Sequence, residues 1–185
     1  MYNGTSGAGS YGEVGDFKAD IIKNLIDKYD IKSTLEYGCG DGNQIGLIDY
    51  DNYIGFDVAE YAVKICESKF KDDPRKKFSV YDPRTFNFTK YNADMVVCLD
   101  VLYHITDDND FNATLDAIFF TSNKLVVLFT KLTRGYEEFP DCPTIVDRDI
   151  YAHIAKYKNF KLVDTIRHNL YSAAHFLILE KIQSN

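Results

Sequence analysis

Three glycines at alternate positions, Gly38, Gly40 and Gly42, stand in the run Leu35-Glu36-Tyr37-Gly38-Cys39-Gly40-Asp41-Gly42. A glycine-rich turn after a strand lets the backbone bend tightly and approach a ligand that any Cβ would exclude. Asp57 lies 19 residues beyond Gly38, close to the spacing of about 20 at which an acidic residue takes the hydroxyls of a bound ribose. Each feature alone has a plainer use: the glycines can serve a tight turn, and an Asp ahead of a helix can cap it. Their joint spacing favours a nucleoside-containing ligand. His104 and Asp100, in Asp100-Val101-Leu102-Tyr103-His104, are the groups best placed to accept or orient a proton, just past the apolar run Ala93 to Leu99. His153, His168 and His175 read as surface or packed residues. Cys39, Cys66, Cys98 and Cys142 are scattered singly, without a CxxC pair or a His at ligand spacing, so they read as reduced thiols rather than a zinc site or a disulfide framework.

The elements that must position these residues follow from periodicity. Residues 3 to 12 are too rich in Gly and Ser to hold a regular element unaided. Val14, Phe17, Ile21, Ile22, Leu25, Ile26 and Tyr29 then mark the apolar stripe of a helix. From Ser33 the pattern alternates: a strand near 33–38, the glycine turn, a strand at 53–58, a helix near 59–70 and a strand near 77–81. The nearly continuous apolar run at 93–99 predicts a strand buried on both faces. A helix carrying Phe111, Leu115, Ile118 and Phe119 precedes a fifth strand at 124–129. Residues 131–147, with Gly135, Pro140 and Pro143, break any regular element. A helix near 148–158 and two strands, near 160–167 and 172–180, close the chain, the last two spaced as an antiparallel hairpin. Alternating β and α elements specify an α/β fold, a parallel sheet with helices on both faces and one antiparallel strand from the hairpin.

The length of 185 residues suits one domain, here residues 14–185 behind an arm at 1–13. Hydrophobic residues make up 45% and charged residues 26%, so a continuous core is expected. With 21 basic against 28 acidic residues the net charge is −7, which repels phosphate backbones and anionic lipid, so neither nucleic acid nor membrane is an expected partner. No apolar run approaches the roughly 20 residues that span a bilayer, and the start lacks the basic-then-apolar order of a secretory signal. The expected location is cytoplasmic.

Three segments together, LEYGCGDGN at 35–43, YIGFDVAEYAV at 53–63 and ADMVVCLDVLYHI at 93–105, resemble the class I S-adenosylmethionine-dependent methyltransferases. The arm GTSGAGSYGEVGDFK is similar to the start of small bacterial methyltransferases associated with surface-glycan and nucleotide-sugar pathways. The resemblance implies a Rossmann-like three-layer sandwich whose mostly parallel seven-stranded sheet runs 3-2-1-4-5-7-6, the last strand antiparallel. It also implies S-adenosylmethionine as cofactor, S-adenosylhomocysteine as product and a small-molecule acceptor. Gly38 and Gly40, with Cys39 between them, would pass under the methionine part of the cofactor, and Glu36 would order that loop or bond the cofactor through it. Asp57 would take the ribose hydroxyls, Val58 the adenine face, Asp82 the adenine amino group, and the Leu99 carbonyl the ammonium. Tyr37 is bulkier than the family's usual aliphatic residue, and Pro83 follows Asp82 directly.

Methyl transfer from a sulfonium is an in-line displacement in which alignment alone is worth about 7 to 11 kcal/mol at best. A hydroxyl acceptor also needs a base, for which His104 and Asp100 are the candidates. The four-residue pattern of magnesium-dependent O-methyltransferases is not recognisable, so no metal is expected. The reading is methyl transfer to a small polar, sugar-like metabolite, most readily at oxygen. The alternatives are a non-catalytic cofactor sensor and a nicotinamide oxidoreductase, whose GxGxxG fingerprint would want glycine where Asn43 stands. An open sheet leaves its ligand exposed, so the arm is expected to act as a lid, with Ser10 and Tyr11 offering hydrogen bonds.

Overall fold

A computed structural model describes residues 6–132, 144–168 and 174–182. Residues 1–5 of the arm, most of the 131–147 loop with Cys142, and the turn of the terminal hairpin lie outside them. The seven strands run β1 (Thr34–Tyr37), β2 (Tyr53–Asp57), β3 (Lys76–Val80), β4 (Ala93–Leu99), β5 (Ser122–Lys131), β6 (Phe160–Arg167) and β7 (Ala174–Lys181). Their order in the sheet is β3-β2-β1-β4-β5-β7-β6. The expected order and the reversed strand are both found: β7 is antiparallel to β5 and β6, whereas β1 with β2, β2 with β3 and β4 with β5 are parallel.

The chain divides into two compact units, Met1–Asp82 and Pro83–Asn185. In the first, α1 (Gly12–Tyr29) buries Ile22 and Leu25 of the anticipated stripe, whose other members are half-buried, and buries Ala19 and Lys18 beside them, Lys18 at 1% exposure. It ends at Asp30, whose φ of 47° is a left-handed C-cap. A four-residue helix absent from the sequence reading, α2 (Asn43–Gly46), follows the glycine turn, and α3 (Glu60–Lys69) packs on β2 and β3. Tyr37, the bulky departure, is fully buried against Phe56 and Tyr81, with ring centroids 5.2 and 5.4 Å away.

In the second unit, β4 is buried throughout except at Asp94, and Leu125 to Phe129 of β5 are inaccessible, as a near-continuous apolar run requires of strands covered on both faces. The helix α4 (Asp108–Thr121) is N-capped by Asp107, which accepts from Asn109 N and Asp110 N at 2.9 and 3.0 Å. The late helix is shorter than the 148–158 expected: α5 spans only Ile150–Ile154, because Asp149 caps its start and Lys156 to Asn159 turn directly into β6. His153 packs edge-on to Phe111 at 4.9 Å, a structural placement.

Candidate functional site

In the first unit the glycine turn is held from every side. Gly38 N and Cys39 N both donate to Phe56 O, at 2.7 and 3.0 Å, which ties the turn to the end of β2. Gly40 N donates to Asp57 Oδ2 at 2.9 Å, Asp41 N to Ser6 Oγ at 2.7 Å, Gly42 N to Cys39 O at 3.2 Å and Asn43 N to Asp41 Oδ1 at 3.0 Å. From α3, Cys66 Sγ donates to Gly40 O at 3.2 Å and Lys69 Nζ to Gly42 O at 3.0 Å. Gly38, Gly40 and Gly42 all have positive φ, the left-handed backbone that side chains strain.

This bonding decides which ligand the turn suits. A phosphate cradle presents unspent backbone N–H groups at a helix N-terminus. Here the N–H groups of residues 38 to 43 are each engaged within the protein, and the following helix has four residues. A pyrophosphate would find no donors, which argues against the dinucleotide alternative. Acceptors remain. Asp57 Oδ1 takes Ala59 N at 2.9 Å, so the Asp fixes the backbone that leads into α3 and braces Gly40 at once, and each carboxylate oxygen keeps a lone pair for a hydroxyl. Val58 beside it is 64% exposed, and Asp82 is exposed one residue beyond Tyr81, whose N–H bonds Asp57 O at 3.0 Å.

Glu36 lies under the turn and accepts the Tyr53 hydroxyl at 2.5 Å. Burial pushes its carboxyl up to about 7, offset in part by the Tyr53 hydrogen bond and the Lys18 charge and reinforced by Asp57. Glu36 is thus tied to β2 at the strand end from which the turn departs. Cys39 is buried as well, and its contribution toward a ligand is main chain. Asp41 and Asp57 give the turn an acidic surround, which favours a cationic sulfonium and ammonium over an anionic dinucleotide. These features fit S-adenosylmethionine.

The arm lies on the same turn. Tyr11 OH and Ser6 N donate to Asp41 Oδ2, the latter at 3.0 Å, Ser6 Oγ donates to Asp41 Oδ1 at 2.8 Å, and Ser10 O accepts Asn43 Nδ2 at 2.6 Å. Burial pushes the Asp41 carboxyl up, but the bonds from Tyr11, Ser6 and Asn43 outweigh it and hold it below its ordinary value. Ser10 Oγ donates to Ser6 O at 3.4 Å. Sequence reading named Ser10 and Tyr11 but missed Asp41, whose only signal was an acid between two glycines.

In the second unit, β4 ends at buried Leu99, and Asp100 follows with φ of 61°, a strained conformation for a residue with a side chain. Asp100 N donates to Phe129 O at 2.9 Å, and its Oδ1 accepts the Tyr103 hydroxyl at 2.7 Å. His104 is exposed, with Nδ1 3.1 Å from Thr144 O. A carbonyl only accepts, so Nδ1 carries the proton and Nε2 keeps its lone pair in the neutral ring. Val146 N donates to Tyr103 O at 2.8 Å. Arg148, which the sequence reading overlooked, donates to Ile105 O at 2.7 Å, Thr106 O at 3.3 Å and Asp108 Oδ1 at 2.8 Å, and lies 4.3 Å from the centre of the Phe111 ring. The segment after His104 is thus clamped. A small hollow at the end of β5 is lined by Leu102, Tyr103, Thr130, Lys131 and Arg148. No helix among the described residues is long and apolar enough to cross a membrane.

Comparison with known proteins agrees with this geometry. Residues 34–121 match the family described as methyltransferase domain. No curated protein matches the chain in sequence. Among solved structures, the fold is similar to magnesium protoporphyrin IX methyltransferase from Synechocystis PCC 6803 with bound S-adenosylhomocysteine, at 16% identity and a TM-score of 0.71 over 91% of this chain and 84% of that one. It is similar also to the N-methyltransferase NodS from Bradyrhizobium japonicum WM9 in complex with S-adenosylhomocysteine, at 13% identity and a TM-score of 0.74 over 91% and 86%. A third likeness is the N-terminal domain of EvdMO1, crystallised in the presence of S-adenosylhomocysteine and D-fucose, at 14% identity and a TM-score of 0.68 over 98% and 91%. The family match over 34–121 and the strand order support the fold of the S-adenosylmethionine-dependent methyltransferases.

Proposed function

We propose that the chain transfers a methyl group from S-adenosylmethionine to an oxygen of a small, polar, sugar-like metabolite in the cytoplasm. The cofactor supplies an electrophilic methyl on a sulfonium whose positive charge is lost on transfer. Asp57 takes the ribose hydroxyls, Val58 the adenine face, Asp82 the adenine amino group and the Leu99 carbonyl the ammonium. Gly38, Cys39 and Gly40 pass beneath the methionine part, and Glu36 holds that turn in place.

The observation that carries the oxygen reading is the His104 ring: its Nδ1 proton is committed to Thr144 O at 3.1 Å, which leaves Nε2 able to take a hydroxyl proton. Asp100, bonded to the Tyr103 hydroxyl at 2.7 Å, orients the acceptor. The arm walls the site and excludes water that would compete for the methyl group. The net charge of −7 favours a small acceptor over a nucleic acid. The test is incubation of the protein with S-adenosylmethionine and pooled polar metabolites. A product heavier by one CH2 is expected, and its formation should fall by about 10²-fold or more in His104→Gln, the scale of a lost general base. A methylated nitrogen or carbon, or an undiminished His104→Gln rate, would overturn the oxygen reading.

A further inference from the structure

Gly40 has φ of +53°, and a Cβ built on it would lie 2.1 Å from Ser6 Oγ and 3.0 Å from Ser6 Cβ. The space that a missing side chain opens at Gly40 is therefore taken by the chain's own arm. Ser6 Oγ accepts Asp41 N at 2.7 Å and donates to Asp41 Oδ1 at 2.8 Å, so it closes a reciprocal pair with one residue. Asp41, 8% exposed, also receives Ser6 N, Tyr11 OH and Asn43 N. A buried carboxylate without such donors would be costly, and charge-assisted bonds are the strong ones. The seam continues: Asn43 Nδ2 donates to Ser10 O at 2.6 Å, and Gln44 Nε2 to Gly15 O, the latter a buried bond of 2.9 Å to α1.

We propose that residues 40 to 44 are a docking site for the arm, with Asp41 as its positioning residue, so that the arm is seated before any ligand arrives and forms a standing wall of the cofactor site. On this account the glycine at 40 also makes room for the arm. Asp41 touches no cofactor and acts through Ser6 and Tyr11. The proposal rests on the reading of the glycine turn as the S-adenosylmethionine site, and it adds an order of events, since the wall precedes the ligand.

The test uses the full chain and S-adenosylhomocysteine as probe. Hydrogen exchange without ligand should show residues 6–13 protected, and Asp41→Ala should lose that protection and bind S-adenosylhomocysteine at least tenfold more weakly, with thermal unfolding confirming that the fold is kept. Should Asp41→Ala not fold, Tyr11→Phe, which deletes one donor from an exposed ring, should weaken binding about threefold. Gly40→Ala, whose new Cβ would meet Ser6 Oγ at 2.1 Å, should release the arm, so that residues 6–13 lose their protection and binding weakens. A Gly40→Ala variant whose residues 6–13 stay protected would overturn the proposal. So would an arm that gains protection only when S-adenosylhomocysteine is added, or unchanged affinity in Asp41→Ala. Failure of the unaltered protein to bind S-adenosylhomocysteine would sink the functional reading instead, while the ligand-free exchange still decides whether the arm is docked.

Discussion

Asp57 Oδ2 accepts the Gly40 N–H at 2.9 Å, so the acid at the end of β2 holds the turn at the end of β1. The two features that the sequence offered as separate halves of a motif are one bonded unit. Removing the carboxylate leaves Gly40 N and Ala59 N without their partners and withdraws the acceptor proposed for ribose. Asp57→Ala should weaken S-adenosylhomocysteine binding by about 1.5 to 3 kcal/mol, the scale of hydrogen bonds to a charged group. Calorimetry checks it; unchanged affinity would reduce Asp57 to a brace for the backbone at Gly40 and Ala59.

Because the N–H groups of residues 38 to 43 are engaged internally, the turn should not accept a pyrophosphate. Titration with NAD should give no heat under conditions where S-adenosylmethionine or S-adenosylhomocysteine saturates. Comparable binding of NAD would mean that the turn rearranges to free its donors.

Glu36 makes stability depend on pH in a particular direction. Its carboxyl is raised from 4.5 to about 7, first by burial, so the folded state holds the proton longer than the unfolded one. Stability from this group is complete below about pH 4.5 and is lost as pH rises through 7, on the order of 3 kcal/mol in all. Urea unfolding of Glu36→Gln should show a flatter profile between pH 4.5 and 7 than the unaltered protein. The comparison is one of slopes, because glutamine also withdraws the charge facing Lys18, which is 1% exposed. Parallel profiles would reject the assignment.

Arg148 should matter to the fold more than its place beside an irregular loop suggests. Truncation to Ala deletes the bonds to Ile105 O and Asp108 Oδ1, both under 3 Å, together with the stacking on Phe111. The expected loss is about 2 to 3 kcal/mol, read by chemical unfolding. Arg148→Lys, with one point charge in place of a fork, should recover less than half of it. A change within error for either variant would show the clamp to be dispensable.

The sequence by itself determined the order of elements, the seven strands and the positions of Gly38, Gly40, Asp57, Asp100 and His104, because periodicity and turn chemistry are local properties. Strands such as 93–99 declare themselves through a continuous apolar run, and α1 through the apolar stripe between Val14 and Tyr29. Only the tertiary structure decided what each polar group bonds. Nothing local marks Lys18 as buried, Lys69 as the partner of Gly42 O, Arg148 as the clamp on residues 105 to 108, or Asp41 as the seat of the arm. Those pairings join residues 27 to 43 positions apart, and a donor's distant partner leaves no trace in its own neighbourhood. The same physics shortened α5 and placed the unforeseen α2, since a helix of one turn has too few residues to show a period.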